Sequence, residues 1–249
     1  MTENIETNKT PMMLPGGFID ASGELHREVE INEITGRDEE AISNPNIANN
    51  SGKIITTLLA GTVTKIGSVK VTEDVIRHLV TGDRDYLMIK LRQVSIGDEY
   101  IKGVKCPSCG AKYEVRINLN DIEMKEGNKE TEFKFTLPKG YTDDKGVTHK
   151  EGFMRLPRGI EQEFLSSDKA HNGGMATTSL LTACCAKFGT LKGVTSNIIR
   201  GLTMKERQMM ANVMTDNMPG PVLESANICP SCSHEWKDPL VVADFFNTK

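Results

Sequence analysis

The sequence has 249 residues, of which 38% are hydrophobic and 26% charged, with a formal net charge of −4. This acidic balance argues against a protein that binds nucleic acid or anionic membranes, and no apolar run reaches the roughly 18 residues of a membrane-spanning helix. Four of the six cysteines form two C-x-x-C pairs, which indicates metal ligation in a reducing compartment rather than a disulfide scaffold.

The first predicted elements are a polar arm and a hairpin. Residues 1–13 predict a flexible N-terminal arm. The next stretch, "GFIDASGELHREVEINEITG", has alternating apolar residues around a turn at Ser22–Gly23, which predicts a β-hairpin. After it, "RDEEAI" predicts a short helical turn and "NPNIANNSG" predicts a polar loop.

Helices are predicted next. The stretch "TTLLAGTVTKIG" predicts a helix that ends at Gly67, and a second helical segment starts at Thr72. Apolar spacing in "DRDYLMIKLRQVS" predicts a third helix, which ends near Gly97. The next stretch, "CPSCGAKYEVRINL", predicts a C-P-S-C turn followed by a short strand. The predicted fold class is therefore α+β, with helices between β elements.

The same order of patterns occurs twice. The offset is the 123 residues that separate Cys106 from Cys229, and it falls to 122 where "TTLLAGTVTKIG" lies over "TSLLTACCAKFG". The coinciding pairs include Leu14/Leu137, Asp20/Asp143, His26/His149, Arg84/Arg207, Gly97/Gly220 and Tyr113/Trp236. Solenoid repeats are roughly 20–50 residues long, so this period indicates a domain duplication. We expect two tandem copies, 14–126 and 137–249, packed about a pseudo-twofold axis.

Both copies end in a C-P-S-C turn. Structural zinc takes four ligands in a tetrahedron, whereas each C-x-x-C pair supplies two. Two copies related by a pseudo-twofold axis would bring Cys106, Cys109, Cys229 and Cys232 to one ion. The sequence therefore predicts a structural zinc shared by the copies, which would fix their relative orientation.

Other interpretations of the four cysteines remain open. A thioredoxin-like redox motif requires its first cysteine at a helix N-terminus, whereas a strand is predicted here. Each pair could instead take its remaining ligands from a second chain, or the cysteines could be disulfides or free thiols. His234 or His149 could also complete a set of metal ligands.

The remaining cysteines and histidines are predicted to have structural roles. Cys184 and Cys185 coincide with Thr62 and Val63 of the first copy, so we expect small buried residues. His26 and His149 are expected on an exposed polar strand.

The repeated arginines are expected in salt bridges or on helix surfaces; they are Arg77, Arg84, Arg200 and Arg207. The sequence contains no phosphate-binding loop and no recognised hydrolase or metalloprotease motif. We therefore expect no catalytic residues and no small-molecule substrate.

Three stretches of the first copy share the pattern of a known family. They are "LPGG…VEINEITGRDEEAI", "VIRHLVTGDRDYLMIKLRQVSIGDEY" and "CPSCGAKYEVRINLNDIE". The residues concerned are Leu14, Pro15, Gly36, Arg37, Glu39, Gly82, Asp83, Arg84, Arg92, Gly97, Cys106 and Cys109. The pattern resembles the baseplate or tail-hub assembly proteins of contractile-tailed, T4-like bacteriophages. The second copy has Lys205 and Glu206 where this pattern has Gly and Asp.

The resemblance implies a structural component or assembly factor of a phage baseplate or tail hub. It implies other baseplate and tail proteins as partners, no binding to nucleic acid or membrane, and a place in the virion after assembly in the host cytoplasm. An alternative is a zinc-ribbon module that binds nucleic acid or takes part in transcription, although the acidic balance argues against it. A C-x-x-C redox protein is a third interpretation.

Overall fold

Helices alternate with small antiparallel sheets along the chain, of which the computed structural model describes residues 12–166 and 173–246. The helices are α1 (Gly36–Ile42), α2 (Ser51–Thr62), α3 (Glu73–His78), α4 (Thr81–Ser95), α5 (Gly159–Leu165), α6 (Gly173–Cys184), α7 (Ser196–Gly201) and α8 (Met204–Asp216). The strands are β1 (Met12–Ile19), β2 (Leu25–Ile31), β3 (Val63–Ile66), β4 (Glu99–Lys105), β5 (Lys112–Asn118), β6 (Met124–Lys125), β7 (Glu132–Thr142), β8 (Thr148–Arg155), β9 (Cys185–Phe188), β10 (Gly220–Pro221), β11 (Glu224–Ile228) and β12 (Glu235–Pro239). This arrangement confirms the predicted α+β class.

The order of elements in residues 12–126, the first half, recurs in residues 132–246, the second half. The series β1–β2–α1–α2–β3–α3–α4–β4–β5 corresponds to β7–β8–α5–α6–β9–α7–α8–β11–β12. The three-stranded sheets have the orders β1–β2–β3 and β7–β8–β9. Their registers also correspond, because Phe18 pairs with His26 in one hairpin and Tyr141 pairs with His149 in the other. Equivalent positions in the two halves therefore have equivalent local structure.

Two predicted boundaries are wrong. The helix predicted to reach Gly67 ends at Thr62, and Val63–Ile66 forms strand β3 beside β2. This segment is rich in β-branched residues, which favour a strand over a helix. The predicted loop "NPNIANNSG" is interrupted because the Asn50 side chain accepts a hydrogen bond from the Lys53 N–H at 3.0 Å, and α2 begins immediately after this N-cap.

The predicted N-terminal arm, residues 1–13, lies mostly outside the described residues. Met12 and Met13 are the first two residues of β1, so the described end of the predicted arm is strand. Strand β7 begins at Glu132, before the predicted start of the second repeat at residue 137. The sheet of the second half therefore begins within the segment predicted to link the repeats.

Two hydrophobic cores lie in the two halves, and the end of the chain joins the first of them. One core surrounds α4, and the other contains Phe135 and Phe188. Leu240 and Phe245, which follow β12, pack in the core around α4, where the Phe245 ring meets Tyr100 edge to face at 4.8 Å between centroids. This packing holds the β11–β12 hairpin near the β4–β5 hairpin.

A buried carboxylate fastens the first strand of each half to a helix. The Asp83 carboxylate accepts hydrogen bonds from the N–H groups of Gly16 and Gly17 at 2.7 and 2.8 Å. The Glu206 carboxylate accepts the corresponding bonds from residues 139–140 at 2.8 and 2.7 Å. The second half therefore keeps this contact although it has Glu where the family pattern has Asp.

Glu206 is expected to make the stability of the second half depend on pH. Burial opposes ionisation of Glu206, but hydrogen bonds from the Gly140 N–H and the Thr203 hydroxyl outweigh it and lower its pKa to about 2. A Glu206→Gln chain should lose about 2 kcal/mol of unfolding free energy at pH 7. Because the native pKa lies below the ordinary value of 4.5, the contribution of the carboxylate is complete above that pH and is lost as the pH falls towards 2.

Urea unfolding of both chains at pH 7 and pH 3 measures this difference. The gap between wild type and Glu206→Gln should narrow at pH 3, because at this pH the unfolded wild-type chain binds the proton at Glu206 whereas most of the native chain does not. Asp216→Asn, at the exposed end of the same helix, is the control and should change the unfolding free energy by less than about 0.5 kcal/mol. An equal gap at both pH values would contradict the assignment.

Candidate metal centre

Each C-P-S-C segment forms the turn of a two-stranded hairpin. Cys106 and Cys109 lie between β4 and β5, and Cys229 and Cys232 lie between β11 and β12. Cys106 and Cys229 are each only 1% exposed, whereas Cys109 and Cys232 are exposed. The centre therefore has a buried side against the protein and a side that faces solvent.

The two turns have the same backbone geometry. The Gly110 N–H donates to the Cys106 carbonyl at 3.0 Å, and the Ser233 N–H donates to the Cys229 carbonyl at 2.9 Å. Gly110 and Ser233 occupy equivalent positions and both have positive φ, +75° and +57°. This conformation costs little for glycine but is uncommon for serine. In each turn the left-handed residue directly follows the second cysteine of the pair.

The two turns bring all four thiols together. The sulfur of Cys106 lies 3.7 Å from that of Cys232, and the sulfur of Cys109 lies 3.6 Å from that of Cys229. All four sulfurs lie within 4.8 Å of one another. A tetrahedron with zinc–sulfur bonds of about 2.3 Å has sulfur–sulfur edges of about 3.8 Å. The thiols therefore have the separations that a tetrahedral ion requires.

Backbone N–H groups in the turns favour thiolates. Burial opposes ionisation of Cys229, but N–H donation by Ser231 and Cys232 outweighs it and lowers its pKa to about 6. Burial also opposes ionisation of Cys106, and the N–H groups of Cys109 and of the residue before it lower its pKa below the ordinary value. Because the thiolate is the metal ligand, the first cysteine of each turn is prepared to bind a cation.

Other contacts join the two hairpins beside the thiols. The rings of Tyr113 and Trp236 meet edge to face with 6.2 Å between centroids, and the Tyr113 hydroxyl donates to the Ile228 carbonyl at 3.3 Å. The Lys102 ammonium donates to the Pro239 carbonyl at 2.6 Å. The hairpins therefore contact each other along their length as well as at the cysteines.

The positions of the cysteines and histidines can be compared with the redox, histidine-ligand and disulfide roles that the sequence left open. Both C-x-x-C segments precede strands, so neither has the helix N-terminus of a thioredoxin-like motif. The ring of His234 stacks on Trp236 at 6.0 Å and lies outside the four-thiol cluster. His149 is buried in the second hairpin with its Nε2 atom 3.3 Å from the Asp143 carboxylate. Within the described part of the chain the six cysteines are free thiols.

Cys184 and Cys185 are buried, as predicted. Cys184 ends α6 and Cys185 begins β9. Burial raises the pKa of these thiols to about 12 and about 11. Both therefore stay protonated at neutral pH and are poor nucleophiles and metal ligands.

The expectation that His26 and His149 lie on an exposed strand is wrong. They are 5% and 4% exposed, because the hairpin turn of each half supplies a carboxylate for the ring. The Nε2 atoms lie 3.1 and 3.3 Å from the Asp20 and Asp143 carboxylates. The coincidence of these residues at one offset was the available signal in the sequence.

Asp20, Glu24 and His26 also lie close enough together to hold a cation. However, the Asp20 carboxylate already accepts hydrogen bonds from the N–H groups of Ser22 and Glu24 at 2.8 and 3.0 Å. The second half has Val147 in place of Glu24. The hydrogen bonds of the hairpin turn therefore explain why Asp20, Glu24 and His26 lie close together.

The predicted role of the arginines is right for Arg77 and wrong for Arg84. Arg77 lies 3.1 Å from the Glu163 carboxylate, whereas Arg84 is completely buried. Arg84 is buried because carbonyl, hydroxyl and amide oxygens from both halves surround its guanidinium. No local pattern in the sequence indicates that an arginine is buried where the two halves meet.

One comparison with known proteins gives a match over nearly the whole chain. A family model described as "T4 bacteriophage base plate protein" matches residues 21–247. No curated protein and no solved structure matches the chain. None of the helices in the described ranges has the length and apolar character needed to cross a membrane.

Proposed function

The chain belongs to the T4 bacteriophage base plate protein family, and from this premise we propose that it is a component or assembly factor of the tail baseplate or hub in which a structural zinc joins two repeats. A structural role in the phage baseplate follows from the family. The observation that carries the zinc proposal is the meeting of four thiols, two from each half, at tetrahedral separations.

Zinc is the ion that suits these ligands best. Four thiolates at a tetrahedral point form a closed structural zinc site, with no position left open for a substrate or water. Binding of structural zinc contributes about 10 kcal/mol or more to folding in small domains. Cys106, Cys109, Cys229 and Cys232 would therefore join the two hairpins and make the relative position of the halves rigid.

The duplication is supported by equivalent side-chain contacts. His26 and His149 meet equivalent aspartates, and Asp83 and Glu206 bind equivalent backbone groups. Such contacts at one constant offset are expected from two copies of one ancestral unit. We therefore interpret residues 14–126 and 137–249 as two repeats. A pseudo-twofold axis would relate their C-P-S-C hairpins, with the zinc bound between the two hairpins.

The partners that fit this role are other proteins of the phage baseplate and tail, and the site of action is the virion tail, reached after assembly in the host cytoplasm. A rigid part with a closed metal site is suited to such an assembly and needs no nucleic acid, membrane or small-molecule substrate. The family match gives no support to the zinc-ribbon alternative that binds nucleic acid.

Complementation of a phage that lacks this gene tests the proposal. The wild-type chain should restore complete baseplates, counted by electron microscopy, whereas Cys229→Ser should reduce them by at least about tenfold because the zinc contributes most of the stability of the hairpins. Cys185→Ala is the matched control and should restore assembly. Normal baseplates with Cys229→Ser would contradict the role of the metal, and normal baseplates without the gene would contradict the baseplate role itself.

A further inference from the structure

The two halves contact each other unsymmetrically away from the cysteines. Residues 157–166, which include α5 of the second half, pack in a cleft of the first half formed by α2, α3 and α4. The Gly159 N–H donates to the Leu79 carbonyl at 3.1 Å, and the Thr81 N–H donates to the Pro157 carbonyl at 3.0 Å. Backbone hydrogen bonds therefore hold the docked segment, residues 157–166, in the cleft.

Arg84 lies at the centre of this cleft. Its guanidinium donates to the Gly52 carbonyl and the Thr56 hydroxyl within the first half, both at 3.0 Å, and its Nε donates to the Gln162 side chain of the docked segment at 2.8 Å. The Glu163 carboxylate accepts a hydrogen bond from the Thr56 hydroxyl at 2.6 Å and pairs with Arg77. Side chains of the acidic helix α5 thus accept hydrogen bonds from both Arg84 and Arg77.

The second half has the same cleft, formed by α6, α7 and α8. Arg207, equivalent to Arg84, donates to the Gly174 carbonyl at 3.2 Å and to the Thr178 hydroxyl at 2.8 Å. Its Nε, however, is buried and has no hydrogen-bond partner among the described residues. Arg200, equivalent to Arg77, is exposed, and Met204 at the start of α8 is 88% exposed. Among the described residues, this cleft therefore has the arginines but no acidic helix.

The matching helix is α1 of the first half. By the offset of the repeat, Glu39 and Glu40 correspond to Gln162 and Glu163. No residue of α1 is buried, whereas α5 buries Gly159 and Glu163 against Arg84 and Thr56 of its cleft. The chain thus presents an exposed acidic helix and, in its other half, a cleft of the type that binds such a helix, with no helix of the described residues in it.

A glycine at the start of α1 supports the same match. At Gly159 a Cβ atom would lie 2.5 Å from the Arg84 guanidinium, so the docked helix requires glycine there. At the equivalent Gly36 a Cβ atom would have nothing within 4 Å, and the residue has no positive φ. Gly36 is therefore not required by contacts within the described chain, whereas a helix docked against Arg207 as α5 is against Arg84 would need a glycine there.

We propose that a second copy of this chain inserts its α1 helix into the α6–α7–α8 cleft, in the way that α5 occupies the α2–α3–α4 cleft. Glu39 then reaches the Nε of Arg207, and Glu40 pairs with Arg200 and the Thr178 hydroxyl. This contact is heterologous: each chain offers one helix and one cleft, so successive chains add head to tail into a ring or an open filament. The proposal rests on the correspondence of the halves and is independent of the zinc.

Charge-reversal variants test the pairing by sedimentation equilibrium. The wild-type chain should self-associate in a concentration-dependent way, and association should weaken by more than about tenfold both in Glu39→Lys/Glu40→Lys and in Arg200→Glu, because like charges then face each other. An equimolar mixture of these two variants should associate again, since the intact helix of one fits the intact cleft of the other and the two reversed surfaces also carry opposite charges. Glu114→Lys, an exposed change on β5, is the control and should associate like wild type.

Gly36→Leu separates docking from folding. The substitution adds a helix-favouring side chain where the monomer has space, so the thermal unfolding temperature should not fall, while self-association should be lost. A wild-type chain that stays monomeric at sub-millimolar concentration would overturn the proposal and leave the cleft to an acidic helix of another protein. Unchanged association of Gly36→Leu, or a variant mixture that associates no more than either variant alone, would also overturn it.

Discussion

A Cys229→Ser chain is expected to lose its metal and to unfold at a much lower denaturant concentration than wild type. Three thiols hold zinc far less tightly than four, and the binding free energy of a structural zinc, about 10 kcal/mol or more, is folding free energy. Two-stranded hairpins are marginal on their own in water, so we expect β4–β5 and β11–β12 to depend on the proposed ion. We expect a loss of several kcal/mol, which is a large part of the stability of an ordinary domain.

Trp236 allows this loss to be measured at the site. It is the single tryptophan of the chain and lies in β12 beside Tyr113, so its fluorescence reports on the hairpins. Guanidinium unfolding of wild type with a chelator should resemble that of Cys229→Ser without one. Cys185→Ala, which removes a buried thiol outside the cluster, should keep its response to the chelator. A chelator without effect on the wild-type transition would contradict the prediction.

An Arg84→Met chain is expected to lose about 3 kcal/mol of unfolding free energy or more. Burial lowers the pKa of Arg84 to about 10, so the side chain is still charged at neutral pH. Its removal takes the arginine donor from the carbonyl of Ile76 and the side chain of Gln162, and leaves the Gly52 carbonyl with the Thr56 hydroxyl as its side-chain donor. Because these acceptors belong to both halves, the change should loosen the junction as well as lower the stability.

Arg207→Met is the matched control for this prediction. Among the described residues, the same substitution at the equivalent position removes bonds to Gly174 and Thr178 and should cost about 1 kcal/mol. Urea unfolding of the two variants in parallel measures the difference. Equal losses in both chains would contradict a special role for Arg84 at the junction.

Much of the fold could be predicted because its patterns are local. The turn at Ser22–Gly23 and the helix start at Thr72 lie where the structure has the corresponding turn and helix start. The end of α2 could not be predicted in this way. Val63–Ile66 fits a helical pattern as well as a strand, and its pairing with β2 decides between them.

The site was predictable for a different reason. The C-x-x-C spacing is typical of only a few kinds of functional site. The repeat offset predicted in addition that the two pairs, which are distant in sequence, would meet. Arg84 carries no such local pattern, because its partner Gln162 lies in the other half of the chain. Polar residues with distant partners are read as surface residues when only the sequence is considered, although their recurrence at one offset was visible.

Metal content per chain, measured by elemental mass spectrometry on protein purified without chelator, tests the central claim most directly. The shared site predicts one zinc per chain, and Cys229→Ser should contain none. A value of two would mean that each cysteine pair completes its ligands from another molecule. A metal-free chain with four reactive thiols at the hairpin turns would contradict the zinc site outright.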